Sequence, residues 1–127
     1  LLSTLAALPD GDQICHGDFH PANILLTAQG DVVIDWNDAT LGNPLADVAR
    51  FSVLVLGAVA TPQIPGRRSK RVARHFHDAS LRRYFQLRPG GEAEYRRWLP
   101  ILAAARLSEG IPELNDWLVA QALDTGA

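Results

Sequence analysis

The sequence predicts a mostly helical α+β domain in which a short β-hairpin lies on a bundle of about four helices. Two observations predict it. Two apolar runs, residues 24–26 and 32–34, flank the tight turn Gln29-Gly30-Asp31, which is typical of a hairpin. From residue 43 onward, apolar residues recur at helical spacing, and stretches rich in Gly and Pro separate the segments. With 127 residues and no internal repeat, residues 1–127 are predicted to form a single domain.

The segment before the hairpin is predicted to be a helical end, a strand and a loop. Residues 1–8 are apolar at helical spacing, and Pro9-Asp10-Gly11 ends that pattern. Residues 14–16 are expected to form a short buried strand or an extended entry to the loop. The loop that follows contains Gly17 and Pro21, which disfavour a continuous helix or strand. This loop is therefore predicted to connect residues 14–16 to the hairpin.

A central helix is predicted after a polar connection over residues 37–43. Asn43-Pro44 is a typical helix start, with an N-cap residue followed by proline at the first helical position. The residues that follow are apolar on nearly all sides of a helix. We therefore expect this helix to be buried as the centre of the bundle.

Three more helices are predicted at residues 69–87, 92–107 and 112–123. The basic run at residues 67–71 is expected to be mobile, and Pro100 is expected to kink or break the second of these helices. The residues predicted to face the core are Val72, Phe76, Ala79, Arg83 or Tyr84, and Leu87; Tyr95, Trp98, Leu99 and Leu102; and Leu114, Trp117, Leu118 and Ala122.

Asp18, Asn23 and Asp35 are the candidate functional residues. Asp18 and Asn23 lie five residues apart in the loop, which can aim both side chains into one cleft. Asp35 closes the second apolar run, and the hairpin returns it towards Asn23. Carboxylate and amide oxygens are hard ligands suited to Mg²⁺, which keeps waters and shares substrate phosphates. Asp18 then remains as a base that orients or deprotonates a hydroxyl, so the pattern predicts phosphoryl transfer.

Three sequence elements resemble a known family. The segment His16-Gly-Asp-Phe-His-Pro-Ala-Asn23 matches the HxDxxxxN catalytic loop of protein kinases, and its HGDxHPxN form resembles the aminoglycoside phosphotransferase and choline kinase-like family. Val33-Ile-Asp-Trp36 resembles the IDW or IDF element that these enzymes carry at the DFG position. Residues 41–49 resemble the GxPxxDLA segment that follows. The resemblance is specific over about residues 14–50 and implies the C-terminal lobe of a protein kinase-like fold.

The resemblance implies a reaction and three principal residues. Asp18 would be the catalytic base, and Asn23 and Asp35 would hold Mg²⁺ against the phosphates of ATP, the co-substrate. The implied enzyme is a kinase that transfers the γ-phosphate to an alcohol group of a small molecule. Aminoglycoside-like, choline-like or related hydroxyl compounds are the expected acceptors.

The resemblance also implies supporting roles for neighbouring residues. His16 would brace the loop, and Asp47 would hydrogen-bond back to it. His20 stands where protein kinases place a lysine near the transferred phosphate, which makes it a candidate phosphate contact. Each residue also has a purely structural interpretation: His16 as a packed histidine, Trp36 as a cleft wall, and Asp47 as an acid that stabilises a helix start.

Composition and charge limit the other functions. A hydrophobic fraction of 47% and a charged fraction of 20% are typical of a soluble globular protein. The single Cys15 excludes an internal disulfide and favours a reducing cytoplasm. The longest apolar stretch, residues 51–60, is too short to span a membrane. Bases between residues 67 and 97 lie around helices without an interleaved aromatic platform, which favours a solvated surface over a nucleic-acid partner.

The charge of the site half is anionic. Residues 1–50 contain seven acids and one base, Arg50. Such a half attracts Mg²⁺ and would also attract cationic substrates such as amino sugars. Much of this charge belongs to the predicted catalytic residues themselves.

The sequence shows no counterpart of the family's N-terminal lobe, which carries a strand lysine and the loop over the nucleotide phosphates. The one lysine, Lys70, follows the catalytic elements, and the chain contains no Met. We therefore expect a C-terminal catalytic lobe of a longer parent, whose partner is the missing N-terminal lobe. We expect the lobe alone to be inactive and to self-associate through apolar surface left uncovered.

Two other functions remain open from the residues. His16-x-Asp18-x-His20 also resembles a metal-ligand cluster, which a metal-dependent hydrolase would complete with distant ligands such as His75 or His77. A kinase-like lobe could instead serve as a non-catalytic binding module. Tight zinc binding would favour the first, and partner capture without turnover would favour the second.

Overall fold

The structure is a computed structural model that describes residues 1–124 and 126. Its helices are α1 (Leu2–Ala6), α2 (Pro44–Val59), α3 (Arg67–Leu87), α4 (Glu92–Arg106) and α5 (Pro112–Leu123). Its strands are β1 (Gln13–Cys15), β2 (Ile24–Thr27), β3 (Gly30–Val33) and β4 (Thr40–Gly42). Short 3₁₀ turns lie at Pro21–Asn23 and Leu107–Glu109. The predicted mostly helical α+β class is confirmed.

Helix α2 is the centre of the bundle, as predicted. Asn43 caps it by accepting a hydrogen bond from the Leu45 backbone N–H at 2.8 Å, and no residue of α2 is exposed. Because α2 packs against α3, α4 and α5, its apolar residues meet helices on several sides. Val53 joins the central cluster together with Ala103, Leu114, Leu118 and Ala122. The inward residues predicted for α5 are therefore confirmed.

The predicted hairpin is present, with its turn one residue earlier than expected. Strands β2 and β3 pair antiparallel from Ile24 opposite Val33 to Thr27 opposite Gly30, so residues 28–29 form the turn. Gly30 has φ +120°, a left-handed conformation that glycine adopts without the cost of a Cβ.

A second two-stranded sheet was not predicted. Residues 40–42, expected to be a polar connection, pair antiparallel with β1, with Gln13 opposite Gly42 and Cys15 opposite Thr40. The prediction was wrong because this pairing joins segments distant in sequence, which periodicity does not detect. Of the predicted buried strand, residues 14–16, Cys15 and His16 are buried, whereas Ile14 is 74% exposed.

The predicted inward residues of α3 are confirmed only in part. Helix α3 begins at Arg67 and so includes the basic run; Phe76, Ala79 and Tyr84 are half-buried, whereas Val72 and Leu87 are exposed and the buried position is His77. The apolar pattern did not predict the buried position, because the polar ring of His77 is hydrogen-bonded inside the bundle to Ser52, at 2.9 Å. Helix α4 continues through Pro100, which lies buried within it, so of the predicted kink or break the break is excluded. None of the helices in the described residues is long and apolar enough to cross a membrane.

Candidate active site

Asp47 fixes the loop between β1 and the hairpin. This residue lies in the first turn of α2. Its two carboxylate oxygens accept hydrogen bonds from the backbone N–H groups of His16, at 2.8 Å, and Gly17, at 2.9 Å. Gly17 has φ +83°, and a Cβ there would lie 2.7 Å from the backbone oxygen of Asp38. The loop therefore turns at a position that admits only glycine without strain.

His16 joins the loop to the hairpin. Its ring is buried, with Nδ1 accepting from the Asp18 backbone N–H at 3.1 Å and Nε2 lying 2.8 Å from the carbonyl oxygen of Ile34. Because Nδ1 accepts, Nε2 carries the proton and donates it to that carbonyl. Both ring nitrogens are therefore committed to the backbone, and His16 is not available as a metal ligand.

The side chains of Asp18, Asn23 and His20 lie close together in the loop. Asn23 Nδ2 donates to the Asp18 carbonyl oxygen at 2.8 Å and to Asp18 Oδ2 at 3.3 Å. Since both partners are acceptors, the amide nitrogen faces Asp18 and the amide oxygen is directed away from it. His20 Nε2 lies 3.6 Å from Asp18 Oδ2. Asn23 is buried, so its orientation is held by packing as well as by these bonds.

Asp35 follows the hairpin strand next to the Asn23 backbone. The Ile34 N–H donates to the Asn23 carbonyl oxygen at 2.9 Å, which extends the ladder to the residue before Asp35. Asp35 has φ +60°, and it is the one non-glycine residue with positive φ in the part of the chain that the structure describes. Such a conformation costs about 1 to 3 kcal/mol and persists where the surroundings impose it, often at functional sites. The carboxylate is exposed and accepts one hydrogen bond, from Asn37 Nδ2 at 2.7 Å.

The donor set suits a hard cation that also binds substrate oxygens. The amide oxygen of Asn23 and the carboxylate of Asp35 are both oxygen donors, and the structure brings their backbones together. Within residues 1–124 and 126, no cluster of three or more His, Cys, Asp or Glu side chains could form a complete metal cage. The pair thus fits Mg²⁺, which takes one or two protein oxygens and completes its shell with water and phosphates.

A second set of residues, missed from the sequence, supports the loop from α2 and the turn after α4. Arg50 Nε donates to the Gly17 carbonyl oxygen at 2.6 Å, and its Nη2 donates to Glu109 at 2.8 Å. Glu109 also accepts from Arg106 Nε at 3.1 Å. Burial raises the pKa of the Glu109 carboxyl, but the hydrogen bonds from Arg50 and Arg106 outweigh it, and the net pKa lies below the ordinary value. No local sequence signal pairs residues 59 positions apart.

Two cavities flank the loop. One, of about 300 Å³, is mostly apolar and lies between His16, Trp36 and α3. The other, of about 620 Å³, opens beside Asp18. It is lined by Asp18, His20, Pro21, Ala22, Asp38, Arg50, Leu54, Val55, Ala58, Gln63, Ile64, Ala73, Arg106 and Glu109. Asp18 therefore lines a space large enough for a small molecule.

Comparison with known proteins gives a family match and two partial relatives. The model of the phosphotransferase enzyme family matches residues 1–97. The proteins named acyl-CoA dehydrogenase family member 11 from Pongo abelii and from Homo sapiens are each 36% identical over 63 residues, covering 45% of this chain. The chain spans 8% of the length of either relative. No solved structure shows significant similarity to the chain.

Proposed function

This chain belongs to the phosphotransferase enzyme family, and we propose that it is the C-terminal catalytic lobe of an ATP-dependent kinase with a protein kinase-like fold. The observation that carries the proposal is the geometry of the loop. Asp18 lines a cleft, and the buried amide of Asn23 donates one hydrogen bond to the Asp18 carboxylate, at 3.3 Å, and one to the Asp18 backbone carbonyl oxygen, at 2.8 Å. Phosphoryl transfer needs chiefly such positioning, because little covalent chemistry is left to the protein.

Asp18 orients the acceptor hydroxyl and takes its proton. The carboxylate is half-buried, and its Oδ2 still has lone pairs free beside the bond from Asn23. His20, 3.6 Å from that oxygen, can contact the transferred phosphate from the same side. Asp47, which fixes the backbone of His16 and Gly17, keeps Asp18 in position without contacting substrate.

Asn23 and Asp35 would hold the magnesium ion that accompanies ATP. When bound, that ion neutralises charge on the nucleotide phosphates. Asn23 contributes its side-chain oxygen, since its nitrogen is used on Asp18. Asp35 contributes an exposed carboxylate whose backbone is held in a left-handed conformation, which fixes the direction of the side chain.

The acceptor is a small hydroxyl compound that enters the cleft beside Asp18. A volume of about 620 Å³ suits a molecule the size of a sugar or an amino alcohol. The relatives carry an acyl-CoA dehydrogenase name, so hydroxylated acyl thioesters belong in the acceptor panel beside aminoglycoside-like and choline-like alcohols. A missing N-terminal lobe would complete the nucleotide pocket, and the full-length protein as its gene encodes it is the form to assay.

The test compares two substitutions in the full-length protein with Mg-ATP and the acceptor panel. Asp18→Asn should lower kcat by two to four orders of magnitude, about the contribution of a general base, with little change in nucleotide affinity. Asp35→Ala should instead weaken Mg-ATP binding itself. Asp31→Asn in the hairpin, which lies outside the predicted site, is the control and should leave both quantities unchanged. Equal and mild effects of the first two variants would refute the assigned roles.

The geometry removes His16 as a metal ligand from the hydrolase alternative. Both nitrogens of His16 bond to the backbone, so the His16-x-Asp18-x-His20 pattern offers two side chains rather than three. A non-catalytic binding module keeps the same loop without turnover. The Asp18→Asn comparison separates that function from catalysis, since a binding module has no kcat to lose.

A further inference from the structure

The cleft beside Asp18 continues into a longer groove. A neighbouring cavity of about 470 Å³ shares three lining residues with it, namely Pro21, Ile64 and Ala73. Beyond these, the neighbouring cavity is lined by Arg68, Ser69, Val72 and Phe76 at the start of α3. The two cavities therefore adjoin at these residues and form a groove, with Asp18 lining its first cavity and Arg68 its second.

The groove is acidic at one end and basic at the other. Asp18 and Asp38 line its beginning. Arg50 and Arg106 also line this cavity, but both are already hydrogen-bonded to Glu109, at 2.8 Å and 3.1 Å. At the far end, Arg68 is exposed and forms no ion pair with a carboxylate of the described residues.

The middle of the groove is apolar. Leu54 and Ala58 line the first cavity, Ile64 lines both cavities, and Val72 lines the second together with Arg68. Val72 is 63% exposed, although the sequence pattern predicted that it would face the core. An exposed apolar wall on a groove that leads from the catalytic carboxylate is suited to an apolar segment of a bound molecule.

Resting on the proposed function, we infer that the acceptor is an amphipathic hydroxyl compound with an apolar chain and an anionic end. The hydroxyl lies at Asp18, the chain occupies the shared middle, and the anionic group pairs with Arg68. The reverse orientation would place an anion beside Asp18 and Asp38, where like charges repel it. The acidic residues of the first half would by themselves favour a cationic acceptor, but only Asp18 and Asp38 among them line the groove, and both lie in the cavity that receives the hydroxyl.

The test uses acceptor series that differ in one property at a time. In the full-length protein with Mg-ATP, ω-hydroxy carboxylic acids of increasing chain length are compared with their neutral amides and with trimethylammonium alcohols. Each added methylene should raise kcat/KM about threefold to fourfold until the middle of the groove is filled. The carboxylate should exceed the amide by about twofold to fivefold, the range of an exposed ion pair, and added salt should reduce that difference.

Arg68→Gln should remove the preference for the carboxylate through KM, with kcat and the kinetics of the amides unchanged. Arg82→Gln is the matched control, because Arg82 is an exposed arginine of the same helix that lines neither cavity of the groove. Ile64→Ala should reduce the increase in kcat/KM with acceptor chain length for both the carboxylates and the amides. Equilibrium binding of the same compounds, measured by calorimetry on Asp18→Asn protein, gives a readout that needs no turnover.

Different results refute different claims. Turnover that ignores chain length and end group, or that prefers trimethylammonium alcohols, would overturn the groove assignment while leaving the kinase function in place. Binding that follows chain length and Arg68 without phosphoryl transfer to any acceptor would overturn the kinase function and leave the groove. Neither binding nor transfer would overturn both.

Discussion

Replacing Asp47 tests whether this residue holds the catalytic loop or only stabilises the start of α2. Its carboxylate accepts two backbone N–H groups, from His16 at 2.8 Å and Gly17 at 2.9 Å. Asp47→Ala leaves both donors without their acceptor. In a half-buried site, the loss of two such charge-assisted bonds should lower the free energy of unfolding by about 2 to 4 kcal/mol. Asp47→Asn keeps one acceptor oxygen and should lower it by about half as much.

The alternative explanation predicts a different magnitude. A favourable interaction with the helix dipole alone is worth about 0.3 to 1 kcal/mol, and both substitutions remove the charge equally. Urea unfolding followed by tryptophan fluorescence measures the difference, with Asp31→Ala as a control, since the side chain of that hairpin residue takes part in no bond described above. A loss below about 1 kcal/mol, or identical losses for Ala and Asn, would refute the assignment of Asp47 as a loop anchor.

Two more predictions follow from the structure. Glu109 has a folded-state pKa below its ordinary 4.5, so its stabilising effect is present above that value and is lost as the pH falls through the lower folded-state pKa. Glu109→Gln should remove this part of the acid sensitivity, and equal acid unfolding of both proteins in urea titrations at several pH values would contradict it. A Cβ on Gly11 would overlap the backbone of Gly42, whereas a Cβ on Gly42 meets only the Cys15 sulfur at an ordinary 3.6 Å. Gly11→Ala should therefore destabilise the β1–β4 sheet by more than about 2 kcal/mol and Gly42→Ala by much less, and similar thermal midpoints would refute the close approach.

Local signals predicted much of the architecture. The Asn43-Pro44 helix start, the central α2 and the hairpin are set by residues next to one another, so capping, proline and alternation were sufficient to predict them. The loop was likewise predicted from local signals, Gly17 and Pro21. The roles of Asp18, Asn23 and Asp35 remain predictions, and the family match supports the phosphotransferase class rather than the individual assignments.

The remaining features depend on contacts between distant segments. The pairing of β1 with β4, the inward turn of His77 towards Ser52, and the link from Arg50 to Glu109 each join residues between 25 and 59 positions apart. A basic residue or a histidine in a helix pattern predicts a surface position, because the sequence does not show the hydrogen-bond partner that such a side chain finds when it is buried.

The sequence by itself predicted the candidate residues for phosphoryl transfer, Asp18, Asn23 and Asp35, and placed them in a loop and next to a hairpin. Only the tertiary structure showed that Arg50 holds that loop beside Asp47, whose contact the family resemblance implied, and that the cavity beside Asp18 adjoins a cavity lined by Arg68. The physical reason is the separation along the sequence of the residues that give rise to each feature. Chemistry and turn formation are properties of neighbouring residues, whereas a groove and its charge polarity arise from side chains that folding brings together from opposite parts of the chain.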